Sequence, residues 1–238
     1  MANAVLLNNQ EHHQLKYQPT FGEPFGHSVG RMVVFPNEIK NLHVQYPLLF
    51  AKGQDGLQLV ALLGFGPEEN LFLEGADWNA HVTPLLAARG PFSIGYQTAA
   101  NGTQAMVVHA DLADARLSDA EGEALFLPEG GAAPRLQRVQ GLLAAIDEGI
   151  KQTAPFVKLL EQHQLLEPLS LDVSLGEQSY RLEGYYSISG KALENVSAEA
   201  LQALHKSGAL ALIYWLVGSM ANVSRLAHLK QRQLQHAS

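Results

Sequence analysis

Apolar and polar residues alternate most regularly at residues 169–175, where Leu169, Leu171, Val173 and Leu175 interleave with Ser170, Asp172 and Ser174. A period of two puts one apolar and one wet face on a strand. Arg181 to Ile188 returns as its partner through Gly176-Glu177-Gln178-Ser179. Arg31–Phe35 and Pro47–Phe50 have strand character, and residues 57–63 follow Asp55-Gly56, a hairpin-turn signal. Phe92–Gln97 and Ala105–Ala110 flank Asn101-Gly102 and predict a further hairpin.

Between these strands the period changes to that of a helix. Asp77 is read as the cap of a helix through Trp78 to Ala88, disturbed by Pro84. Leu136, Val139, Leu142-Leu143 and Ile146 recur at helical spacing. Thr153 is read as the cap of a second helix through Leu159-Leu160 to His163, so the two predict a helical hairpin. Ser197 caps a helix ending at Lys206-Ser207-Gly208, and another runs from Ala209 to Gln231 with Gly218 as a break point. Its apolar run, Ala209 to Val217, is about nine residues, roughly half of a membrane span, and predicts a buried helix.

The fold class predicted is α+β, with antiparallel β-hairpins packed against helices. The chain divides into an extended arm at residues 1–30, a β-rich half at 31–130, and a half at 131–238 carrying helical hairpin, β-hairpin and C-terminal helices. The two halves, packed as one globular unit, show a weak correspondence at an offset of about half the chain, which reads either as an internal duplication or as chance similarity between two ordinary βα segments. Each reads as hairpin, Gly-aromatic exit (Gly64-Phe65, Gly184-Tyr185), capped helix (Asp77, Ser197), glycine and apolar run.

Composition narrows the functional classes. A net charge of -7 argues against broad electrostatic attraction to nucleic acid or anionic lipid, because such binding rests on surplus Lys and Arg, and no nucleic-acid partner is expected. The absence of cysteine excludes disulfides, thiolate nucleophiles and cysteine-ligated metal sites. The first ten residues carry no basic n-region, so a cytoplasmic location is expected, with a surface location only by a non-classical route.

Candidate chemistry is sparse. His109-Ala110-Asp111 at a strand end, with His163 as a distal ligand, has the residue types of a non-haem iron facial triad. The alternative is that His109 ends a strand and Asp111 caps a turn. The phosphate-cradling G-x-x-x-x-G-K-[ST] loop, G-x-G-x-x-G and the G-x-S-x-G elbow do not occur, and no cofactor is expected. Aromatic residues offer a binding surface instead. Phe65, Trp78, Tyr96, Tyr185, Tyr214 and Trp215 gather near the hairpin exits, where they can line a groove for a peptide or apolar ligand or form a joint core.

One block carries a family resemblance. It runs from Phe35-Pro36-Asn37-Glu38 through Asn41-Leu42-His43-Val44-Gln45-Tyr46-Pro47 to Leu62-Leu63-Gly64-Phe65 and Glu69-Asn70-Leu71-Phe72-Leu73. In wording and order it resembles the bacterial SapC family. The resemblance extends from Ala4-Val5-Leu6 to Leu226. It implies a non-catalytic binding or assembly protein associated with surface arrays and having a protein or peptide partner. Similar proteins are encoded near outer-membrane receptors, halogenase-like enzymes and iron-dependent hydroxylases, which implies an accessory role. The rival reading is an iron-dependent oxygenase using His109, Asp111 and His163.

Overall fold

The computed structural model describes residues 4–98, 102 and 104–236. Strands of three or more residues are, in chain order, β1 (Ala4–Leu6), β2 (Arg31–Val33), β3 (Leu48–Gly53), β4 (Gly56–Leu62), β5 (Phe92–Thr98), β6 (Gln104–Asp111), β7 (Leu166–Leu175) and β8 (Gln178–Ile188). The α-helices are α1 (Ile39–Leu42), α2 (Leu85–Ala88), α3 (Pro134–Gln162), α4 (Gly190–Glu194), α5 (Ala198–Lys206), α6 (Ala209–Ser219) and α7 (Asn222–His236). Every strand pair is antiparallel, and the fold is α+β.

The chain forms two compact units, Met1–Thr20 with Leu85–Glu148, and Phe21–Pro84 with Gly149–Ser238. This division cuts across the linear one into 1–30, 31–130 and 131–238. In the first unit β1, β6 and β5 form a sheet in that order. The β5–β6 hairpin is present, and Asn101 of its expected turn lies outside the described residues. Lys16–Tyr17 pairs with both Leu117–Ser118 and Glu123–Ala124, so part of the expected arm is strand. Tyr17 meets Phe92 edge-on with ring centroids 5.0 Å apart, and Leu125, Leu136, Val139 and Leu143 of the same unit are buried.

The second unit holds a five-stranded sheet in the order β7-β8-β3-β4-β2. Both hairpins read from the sequence, β3–β4 and β7–β8, lie in it side by side. The β3–β4 loop is Gln54-Asp55, one residue earlier than Asp55-Gly56, because Gly53 pairs with Gly56. Leu59, Val60, Ala61 and Leu62 are buried in succession, as a strand covered on both faces requires. Phe156 of α3 packs on Phe50 of β3, and α6 packs against β3 and β8. Ser219 ties α6 to the sheet, its hydroxyl accepting from the Leu48 N–H at 3.0 Å and donating to the Leu216 carbonyl at 2.6 Å.

Several sequence expectations are corrected. Asp77 caps no helix; Asp77–Trp78 pairs with Leu73–Glu74, and α2 begins only after Pro84, whose ring disfavours helical backbone in the residue before it. The helix of the first proposed repeat copy is therefore reduced to the single turn α2 without the Asp77 cap, whereas in the second Ser197 caps α5 by accepting from the Ala200 N–H at 3.2 Å. The helical hairpin is one helix, α3. Thr153 does not cap but donates its hydroxyl to the Gly149 carbonyl at 2.8 Å, and Pro155 sits inside the helix. The C-terminal helix breaks at Met220-Ala221 rather than at Gly218. Residues 209–217 are buried on one face only: Ala209, Ile213 and Leu216 face inward, while Tyr214 and Val217 are exposed.

Candidate functional site

The β7–β8 hairpin does not run straight. Leu169 faces Tyr185 and Leu171 faces Leu182, so Glu183 and Gly184 together oppose Ser170. This is a β-bulge, with Gly184 at φ +82°, a conformation glycine adopts without the clash a Cβ causes. Bulges bend a strand and end its pairing. Accordingly β8 pairs with β3 only at Tyr185 and Tyr186, and residues 178–184 have no strand partner on that edge among the described residues.

Beyond the bulge the hairpin meets the loop that follows β4. Phe65 stacks on Tyr180 with centroids 5.2 Å apart and planes inclined at 30°. On the other side, the Arg31 guanidinium lies over the Tyr185 ring, 5.5 Å from its centroid. Between these two contacts a crevice of about 470 Å³ opens, bordered by Arg181–Glu183 on the unpaired edge. Arg31 makes no ion pair among the described residues. Arg181 is engaged, its Nε 2.6 Å from Glu183 Oε1.

Close backbone approach builds the crevice floor. The Gly30 carbonyl accepts from the Leu63 and Gly64 N–H groups at 2.8 and 3.1 Å, and the Gly30 N–H donates to the Pro67 carbonyl at 2.8 Å. A Cβ on Gly30 would run into the Gly66 carbonyl oxygen, so only glycine fits there. Glu69 locks the loop. One carboxylate oxygen accepts from the Phe65 N–H at 2.8 Å and the other from Lys230 Nζ at 2.6 Å, with the Lys230 ammonium also 5.8 Å from the Tyr180 ring centroid. Asn70 donates to the His27 carbonyl at 2.8 Å and accepts from the Phe72 N–H at 3.0 Å. Gly64-Phe65, singled out in the sequence, thus lines one wall, and Glu69 holds it through the Phe65 N–H.

Of the six aromatic candidates, this crevice unites Phe65 and Tyr185. Trp78 is instead buried beside Phe21, His27 and Tyr46. Tyr96 is exposed on β5 of the other unit. Tyr214 is exposed on α6, and Trp215 stacks on His43 at 5.6 Å. Arg31 and the bulge were missed by sequence reading. Gly184 after Glu183, inside an otherwise regular strand, was the available signal.

His109 pairs with Ser93 across β5–β6, and its ring lies over Gly95. Asp111 ends β6, its carboxylate accepting from the Ala113 N–H at 3.2 Å as a turn-forming Asp does. His163 follows the end of α3 in the other unit, bordering a shallow pocket with Ala192 and Asn195. No group of three or more His, Asp or Glu residues among those described is arranged to hold a metal ion.

Two further features belong to one unit each. In the first unit, buried Arg116 binds Asp114 through Nε at 2.9 Å and Nη2 at 2.7 Å. Burial raises the Tyr17 phenol above its ordinary range, against the pull of Arg116 and Arg135. In the second unit, a groove of about 390 Å³ lies between the Asp55–Gln58 hairpin tip and the α3 face carrying Ile150, Ala154 and Val157. It contains none of the six aromatics.

The SapC family model matches residues 7–226, most of the chain, and the protein belongs to that family. No curated protein and no solved structure matches it.

Proposed function

We propose that this SapC-family chain is a non-catalytic binding protein whose crevice takes an extended segment of a protein partner. The observation that carries the reading is the unpaired edge of β8 at residues 178–184, bordering a cavity with aromatic side chains and the Arg31 cation. An extended peptide gains main-chain hydrogen bonds by adding to such an edge, while its alternate side chains enter the adjoining pocket. Phe65 and Tyr185 suit an apolar or aromatic side chain. Arg31, which makes no ion pair among the described residues, suits an acidic residue next to that one. A role as accessory to a halogenase-like or hydroxylase enzyme fits such a site, the enzyme supplying the segment.

The test is an array of short peptides pairing aromatic with acidic residues, probed with the intact protein. Binding is expected to fall about tenfold or more in Arg31→Ala and in Tyr185→Ala, the loss typical of a central contact. Retention of full affinity by both variants, or failure of every peptide to bind, sinks the proposal.

A further inference from the structure

The solvent face of α6 is unusual for a helix docked on a sheet. Its inward residues Ala209, Ile213, Leu216 and Ser219 are buried, yet the outward ones are also apolar, with Tyr214 56% and Val217 40% exposed. Ala211, Gly218 and Ala221 extend this exposed line at helical spacing. Taken as one helix, Ala209–Gln235 is long and apolar enough to cross a membrane, but only 28% of its apolar window is buried. A helix that exists to fill a core would be mostly buried.

Charge singles out the same region. Residues 200–238 contain Lys206, Arg225, Lys230 and Arg232 and no Asp or Glu. The whole chain has 16 basic and 23 acidic residues, so the remainder carries 12 against 23, or -11. Lys230 is bound by Glu69 and Arg232 borders a pocket shared with Glu74, whereas Lys206 is exposed three residues before α6 begins. Because screening confines exposed charges to about 10 Å, the sign of this patch matters more to a docked surface than the net charge.

We infer that the α6 face docks on an anionic lipid surface, lying in the interfacial plane rather than crossing the bilayer. An exposed apolar helix face with an aromatic ring, in a segment that carries cations and no acids, is the combination that partitions into the headgroup boundary. Spanning is disfavoured because Ile213 and Leu216 would have to leave the core, and because α7 brings three cations into the same stretch. A second copy is a poorer occupant, since apposing two copies of this acid-free, cation-bearing segment would bring like charges together.

The experiment is vesicle flotation of the full chain. It compares phosphatidylcholine alone with phosphatidylcholine in which about a third is replaced by phosphatidylglycerol. The protein is expected to float with the anionic vesicles and not with the neutral ones, and to be released by salt. Tyr214→Glu, Val217→Glu and the pair Lys206→Glu with Arg232→Glu should each weaken flotation about tenfold or more. All alter exposed side chains, and unchanged circular dichroism confirms that they fold. Absence of flotation, equal flotation with neutral vesicles, or flotation undiminished in the variants overturns the inference. So does a solution dimer that Val217→Glu dissociates in protein that ignores vesicles.

Discussion

Trp78 donates its indole N–H to the Tyr46 hydroxyl at 2.8 Å, and that hydroxyl donates to the Val82 carbonyl at 2.7 Å. The relay is buried, and burial raises the Tyr46 phenol well above its ordinary range. Tyr46→Phe leaves the indole N–H and the Val82 carbonyl without this partner and is expected to cost about 1–3 kcal/mol at neutral pH. The pH dependence has a definite sign. The folded-state pKa is raised, so the tyrosine's contribution is fully present below the unfolded value near 10 and is lost as pH rises beyond it. Urea denaturation should therefore show the difference between Tyr46→Phe and wild type narrowing above pH 10, the ordinary phenol value. A difference that widens there would contradict the account.

Gly184 offers a clean test of the bulge. A Cβ at this position meets nothing within 4 Å, so Gly184→Ala introduces backbone strain without a clash. Holding alanine at φ +82° should cost about 1–2 kcal/mol in chemical denaturation. If the bulge shapes the crevice, peptide affinity should fall in the same variant. Unaltered stability would show that β8 takes another path.

His109 provides a discriminating substitution between binding protein and oxygenase. Its ring lies over Gly95 on a partly exposed strand, so His109→Ala should change stability by about 0.5–1 kcal/mol in either direction. Peptide binding at the crevice should be unaffected. Stoichiometric iron in the purified wild type, lost in His109→Ala, would favour the oxygenase instead.

Residues with a local signal were legible in the sequence, and those decided by tertiary contacts were not. The period-two run Leu169–Leu175 and the turn near Asp55-Gly56 specified both hairpins of the five-stranded sheet. Ser197 announced α5 because a cap is a contact between near neighbours. Thr153 misled because its hydroxyl can satisfy either a cap or a carbonyl one turn back, and α3 uses the latter. Asp77 misled because a short strand pair with Leu73–Glu74 outcompeted the helix that Pro84 disrupts. At the crevice, Phe65 and Tyr185 were legible as aromatics at hairpin exits. Arg31 was not, because it reaches Tyr185 from a strand that is not β8's neighbour in the sheet.

Amide hydrogen exchange with and without a peptide selected from the array tests the central claim most directly. The account predicts slowed exchange at residues 179–184 on peptide addition, because strand addition gives those edge amides new acceptors. Protection confined to the hairpin tip at residues 55–58 and the α3 face would contradict it and assign binding to the other groove. No change at residues 179–184 under saturating peptide would contradict it as well.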